Sequence, residues 1–137
     1  MQAPHSLSMV VRDYECDMQG VVNNAVYQNY LEHARHECLK ASGIDFAAVT
    51  RSGVNLVVTR AELDYKGSLT SGDSFVVHTR MERVSRLRFA FHQQVVREPD
   101  GKLMVAALIT GSGIDQRGRP TLPAALLALL DSPAAPT

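Results

Sequence analysis

Asp17-Met18-Gln19-Gly20-Val21-Val22-Asn23-Asn24-Ala25-Val26-Tyr27 sets a carboxylate and a glycine turn directly ahead of an amphipathic segment. The first turn of a helix carries backbone N–H groups without intrahelical acceptors and a partial positive charge. A carbonyl oxygen or anion held there lies beside a carboxylate that serves as base or nucleophile. The pairing suits attack on an activated acyl group, and Asp17 is the candidate catalytic carboxylate. The competing reading of Asp17 is an ordinary loop aspartate that caps a turn or the helix.

The other chemistry-bearing residues divide less sharply. His33 and His36 stand three apart beside Glu32 and Glu37, but no third ligand follows at metal spacing, so no metal site is expected. Ser52, Ser71 and Ser85 fall in turn-like settings without a Gly-x-Ser-x-Gly elbow, which leaves a serine triad unsupported. Cys16 and Cys38 match neither a disulfide framework nor a zinc spacing; both are expected reduced, with Cys38 in the core. Arg83, Arg86 and Arg88 cluster around a strand break and read either as an anchor for phosphates or an acidic surface, or as a solvated basic turn. Arg35 either turns inward between Leu31 and Cys38 or pairs on the surface with Glu32, the pairing being favoured. Tyr30 reads as packing, Tyr27 as packing or pocket wall, and Val57, Val58 and Thr59 as pocket wall or ordinary sheet core.

The elements that position these residues follow from periodicity. Tyr27, Tyr30, Leu31, Ala34 and Cys38 recur at helical spacing, predicting one long helix over 24–41 with Gly43 as its stop. A first strand is predicted over 6–12. Beyond the helix the period becomes two: Ala61, Leu63 and Tyr65; then Phe75, Val77, Thr79 and Met81; then Leu87, Phe89, Phe91, Gln93 and Val95; then a nearly continuous apolar strand over 103–110. Turns are expected at 67–72, at Ser85 and Arg86, and at Pro99-Asp100-Gly101. A short helix is expected over 121–130, with Thr121 as a possible cap, and 132–137 as a frayed end.

With 137 residues, the chain is expected to form one domain over 1–137 around a core at about 6–120. Fourteen basic and fourteen acidic residues cancel, so no global attraction to nucleic acid or anionic membrane is expected. Residues 1–7 lack a basic segment followed by a long apolar run, and no stretch reaches membrane-spanning length; a soluble cytoplasmic protein is the expectation. A long helix followed by antiparallel strands buries its apolar face by letting the sheet wrap around it, an α+β arrangement. The apolar strand over 103–109 exceeds what a half-exposed edge needs, which implies a homo-oligomer.

This order of strand, acid-glycine loop, helix and meander resembles the hotdog fold, and residues 11–30 resemble its 4-hydroxybenzoyl-CoA thioesterase branch. The Val21-Val22-Asn23-Asn24-Ala25-Val26-Tyr27 wording, with Arg51-Ser52-Gly53 and Ser71-Gly72-Asp73, is similar to plant acyl-lipid and methylketone-synthase thioesterases. The resemblance implies hydrolysis of an acyl thioester of coenzyme A or acyl carrier protein, without metal or cofactor, in a homodimer or homotetramer whose sites are built from two subunits. It implies that Asp17 acts as general base or nucleophile and that the Asn24 backbone N–H polarises the carbonyl. Asn24 stands where many bacterial relatives have His or Tyr. Tyr27, Val58 and Thr59 would line the acyl site, and Arg86 and Arg88 would meet the carrier's phosphates. The alternatives are an acyl-CoA sensor that has lost the chemistry, or a hotdog dehydratase, which the absence of histidine from 13–30 disfavours.

Overall fold

Eighteen residues, Asn24–Ala41, form the long helix α1, which follows strand β1 (His5–Val10) and a single 3-10 turn, Asp13–Glu15. The computed structural model describes residues 4–131; the expected frayed end at 132–137 lies outside them. Asn23 caps α1 by accepting from the Ala25 N–H at 2.9 Å, and Ser42 with Gly43 (φ +88°) ends it. Tyr27, Tyr30, Leu31, Ala34 and Cys38 are all buried, as their spacing predicts.

A six-residue helix, α2 (Phe46–Arg51), then leads into the strands β2 (Asn55–Tyr65), β3 (Ser74–Arg83), β4 (Phe89–Glu98) and β5 (Leu103–Ile114). All pairings are antiparallel, in the order β1-β3-β4-β5-β2, so β1 and β2 are the two edges. The inward row Phe89, Phe91, Gln93 and Val95 is buried and faces α1, with Phe75, Val77, Thr79 and Met81 beside it. Val95, Val105 and Val77 are fully enclosed with Tyr30 and Leu31 in one core cluster, while Cys38, Leu39, Phe89, Phe91 and Ile109 form a second.

The short helix at the end differs from expectation. Thr121 lies in β6 (Pro120–Thr121), opposite Gly113 of β5, and the last helix, α3 (Ala124–Leu130), starts behind Pro123. Thr121 is therefore a strand residue and not the helix cap; pairing with β5 takes up its backbone.

Helix α1 runs from one end of the sheet to the other. Its start lies where Tyr65 ends β2, since the Tyr65 hydroxyl donates to the Asn24 carbonyl at 3.4 Å. The β3–β4 turn lies at the opposite end, in the row Arg83, Phe89, Gly111 and Val58. From Ser74 to Arg83 the strand rise of about 3.3 Å per residue separates the two ends by roughly 30 Å.

Candidate active site

The acid loop is a tight reversal. The Asp17 N–H donates to the Val21 carbonyl at 2.9 Å and the Gly20 N–H to the Asp17 carbonyl at 3.0 Å. Gly20 takes φ +81°, a conformation side-chain-bearing residues adopt at a cost. The Asp17 carboxylate is held through Oδ1 alone, which accepts from the Gln19 N–H at 2.8 Å and the Val21 N–H at 3.4 Å. Oδ2 has no protein donor among the described residues and the side chain is exposed, so the capping and catalytic readings of Asp17 are compatible.

Across the loop, Asn23 donates from its N–H to the Glu15 carbonyl at 3.3 Å, which returns the chain to the helix start. Its side chain takes the Ala25 N–H and its carbonyl the Val26 N–H. The Asn24 N–H is left without an acceptor among the described residues, in the first turn where the helix dipole is positive. Behind it, Glu15 Oε1 accepts from the Tyr30 hydroxyl at 2.9 Å and the Arg12 N–H at 2.8 Å, fixing the loop to α1. Burial, then the Glu15 carboxylate, pushes the Tyr30 phenol far above the ordinary tyrosine range. Desolvation, reinforced by the carboxylates of Asp13, Asp17 and Glu15, pushes the Cys16 thiol up, so the adjacent cysteine is a poor thiolate nucleophile.

The remaining sequence candidates separate. Tyr27 is 2% exposed, accepts the Leu69 N–H at 2.8 Å, and stacks edge-on with Tyr30 and Tyr65. It supports the helix start from behind and forms no exposed wall. Val58 and Thr59 lie on edge strand β2, Val58 at 53% exposure and Thr59 as the extra residue of a bulge between Val58 and Arg60. Arg86 and Arg88 are exposed in the β3–β4 turn, whereas Arg83 is paired with Asp131 at 2.9 Å. Within one chain, then, Asp17 and Asn24 occupy one end of the sheet, and Val58, Thr59, Arg86 and Arg88 the other.

Arg35 overturns its favoured reading. It is half-buried, donates to Gln93 Oε1 at 3.2 Å and lies 5.9 Å from the centre of the Phe91 ring, while Glu32 approaches His36 instead, at 3.9 Å. Gln93 itself was the missed residue. A glutamine at an inward position between Phe91 and Val95 is the signal that could have found it. No cluster of three metal-ligating side chains occurs among the described residues, His33 and His36 included.

Residues 11–130 match the model of the Thioesterase-like superfamily. The chain is 40% identical over 117 residues to the chloroplastic acyl-acyl carrier protein thioesterase ATL2 of Arabidopsis thaliana, covering 85% of this chain and 62% of that protein. It is 29% identical to the long-chain acyl-CoA thioesterase FadM of Escherichia coli, covering 82% of this chain and 84% of the relative. Thus it spans less than two thirds of the length of the plant relative. Among solved structures, a hypothetical protein from Aquifex aeolicus superposes with a TM-score of 0.84 at 29% identity, over 93% of this chain and 99% of that one. The 1,4-dihydroxy-2-naphthoyl-CoA thioesterase of Synechocystis shares the fold, at a TM-score of 0.87 and 18% identity, over 96% of this chain and 100% of that one. With the hotdog arrangement of helix and antiparallel sheet in place and the family model spanning nearly all of it, the chain belongs to the Thioesterase-like superfamily.

Proposed function

We propose that the protein hydrolyses acyl thioesters of coenzyme A or acyl carrier protein to a free acid and a thiol. The observation that carries this reading is the pairing, on two sides of one tight loop, of the Asp17 carboxylate, whose Oδ2 has no donor among the described residues, with the first-turn Asn24 N–H, which has no acceptor among them. Asp17 either deprotonates the attacking water or adds to the thioester carbonyl to give a mixed anhydride that water then opens. In both routes negative charge grows on the carbonyl oxygen, and the Asn24 N–H with the helix dipole stabilises it; one such donor is typically worth about 3–4 kcal/mol in the transition state. The thiolate leaves and takes up a proton.

The site is shared between two copies of the chain. Edge strand β2 carries the helix start at its Tyr65 end and Val58 and Thr59 at the other. Antiparallel pairing of β2 with β2 of a second copy, the isologous contact of a two-fold dimer, sets one copy's Asp17 end beside the other's Val58 end. Val58 at 53% exposure and Tyr65 at 45% are the apolar surface such pairing would cover. Arg86 and Arg88 of the second copy would then meet the carrier's phosphates. No helix among the described residues is long and apolar enough to cross a membrane, and the free Cys16 and Cys38 suit a cytoplasmic setting.

Thiol release from short, medium and long acyl-CoAs, aromatic acyl-CoAs and acyl carrier protein thioesters tests the reading. Turnover that collapses in Asp17→Asn supports it. Tight binding of acyl-CoA without release of thiol by the wild type, on either carrier, would make the protein a sensor and overturn it.

A further inference from the structure

A cavity of about 370 Å³, within the range of small-ligand sites, lies between the later half of α1, α2 and strands β2, β4 and β5. Its walls include Leu39, Phe46, Val49, Leu56, Phe89 and Phe91. Gly111 belongs to it for a steric reason: a Cβ there would come within 2.9 Å of both the Phe89 ring and the Val57 carbonyl oxygen. Beside these apolar walls, and with Glu32, His36, Thr50 and Asn55 as further polar lining, stands Arg35. Burial holds its guanidinium below the ordinary arginine range, with Glu32 pulling the other way, yet it stays charged.

Arg35 is placed there by a built support. Gln93 is 2% exposed, and its amide nitrogen donates to the Leu31 carbonyl at 3.0 Å and to Thr79 Oγ1 at 3.0 Å. Those two bonds orient the amide so that Oε1 faces Arg35 Nη1 at 3.2 Å. Thr79 is fully buried, so a chain of polar groups crosses the core to hold this guanidinium. Among the described residues Arg35 has no carboxylate within ion-pair distance, and Gln93 is its one hydrogen-bond acceptor. Glu32 lines the mouth of the cavity, but its side chain is 58% exposed and turned to His36. A half-buried cation with no carboxylate in contact, Glu32 acting on it only from beyond ion-pair distance, is costly, and its planar fork matches a carboxylate in two-point geometry.

We propose that Arg35 is a specificity-determining residue, and that this cavity takes an acyl group bearing an oxygen acceptor remote from the thioester, a terminal carboxylate above all. The proposal rests on the thioesterase reading for the identity of the carrier. Asn55, Leu56, Val57 and Val58 line the cavity, and this is the end of β2 that the shared site turns towards the partner's helix start. Arg35 lies eleven residues beyond Asn24, roughly 16 Å along the helix at 1.5 Å per residue. The cavity is thus remote from the Asp17 loop of its own chain. Each cavity would accordingly receive the acyl chain of a thioester bound at the other copy's Asp17.

Matched straight-chain acyl-CoAs and their ω-carboxy counterparts, at short, medium and long lengths, test this with wild type, Arg35→Met and Arg35→Lys. At the best-accepted length the wild type should favour the ω-carboxy substrate in kcat/KM on the order of tenfold to a hundredfold, the range of one charge-assisted hydrogen bond. Arg35→Met should abolish or invert that ratio, and Arg35→Lys should keep part of it. Equal kcat/KM in the wild type, or a ratio unchanged in Arg35→Met, overturns the proposal, and the wild-type ratio needs no variant to fold. If neither substrate of a pair releases thiol on coenzyme A or on acyl carrier protein, the hydrolase reading fails by itself. The ratio of their dissociation constants by calorimetry then decides the role of Arg35 by the same criterion.

Discussion

Two defective variants should restore one another if the site is shared. Asp17→Asn disables the helix-start end, and Arg86→Ala with Arg88→Ala disables the turn end, roughly 30 Å away along β3 in the same chain. The arginines are exposed, so their loss should raise KM and lower kcat/KM on the order of tenfold to a hundredfold, without disturbing the core. In a dimer mixed from the two variants, one site collects both lesions and the other is intact. Equal co-expression makes half of the dimers mixed, so activity should return to about one quarter of wild type. The assay is thiol release at sub-saturating acyl-CoA, from the whole dimer population formed by equal co-expression. Activity that stays at the mean of the two parents would refute the shared site. An alanine pair as active as wild type would remove Arg86 and Arg88 from the substrate contacts.

Gln93→Leu keeps the volume but removes three hydrogen bonds, leaving the buried Thr79 hydroxyl and Arg35 short of a partner; a loss of about 2–3 kcal/mol is expected by urea denaturation. A change below 1 kcal/mol would mean the network is not tight. Burial, and for Tyr30 the Glu15 carboxylate as well, raises the Tyr27 and Tyr30 phenols above their usual value near 10. Because the folded values are raised, this contribution to stability is complete below about pH 10 and is lost as pH climbs from there towards the folded values. Tyrosinate absorbance and circular dichroism followed together should show part of the tyrosines ionising only as the fold is lost. Ionisation of all four in a still-native protein would contradict the packing around the helix start.

Helix α1 and the strands along the chain were legible because each is long enough for its period to repeat, and Gly43 and the 99–101 turn punctuate them, whereas the expected meander is not the sheet order, in which β2 pairs with β5. Helix α2 was not, since the six residues Phe46–Arg51 complete fewer than two turns and carry no pattern beyond the Asp45 cap. Thr121 reads as a cap from its neighbours, but its backbone is claimed by Gly113, which only the folded sheet brings near. The same holds for Arg35: a sequence displays Glu32 one turn away, whereas Gln93 lies 58 residues on. Asp17 and the helix start were readable because their geometry is local. The division of the other candidates between two ends of the sheet belongs to strand order and appears only with the fold.

The most direct test of the central claim is kcat for thiol release by Asp17→Asn, measured beside wild type on the best acyl thioester, with circular dichroism and thermal unfolding of both. The asparagine preserves the Oδ1 bonds to the Gln19 and Val21 N–H groups while removing the charge and nucleophilicity at Oδ2. The expected result is an unchanged fold, KM within a few-fold and kcat lower by on the order of a thousandfold. A well-folded Asp17→Asn protein that turns over at a rate near wild type would contradict it.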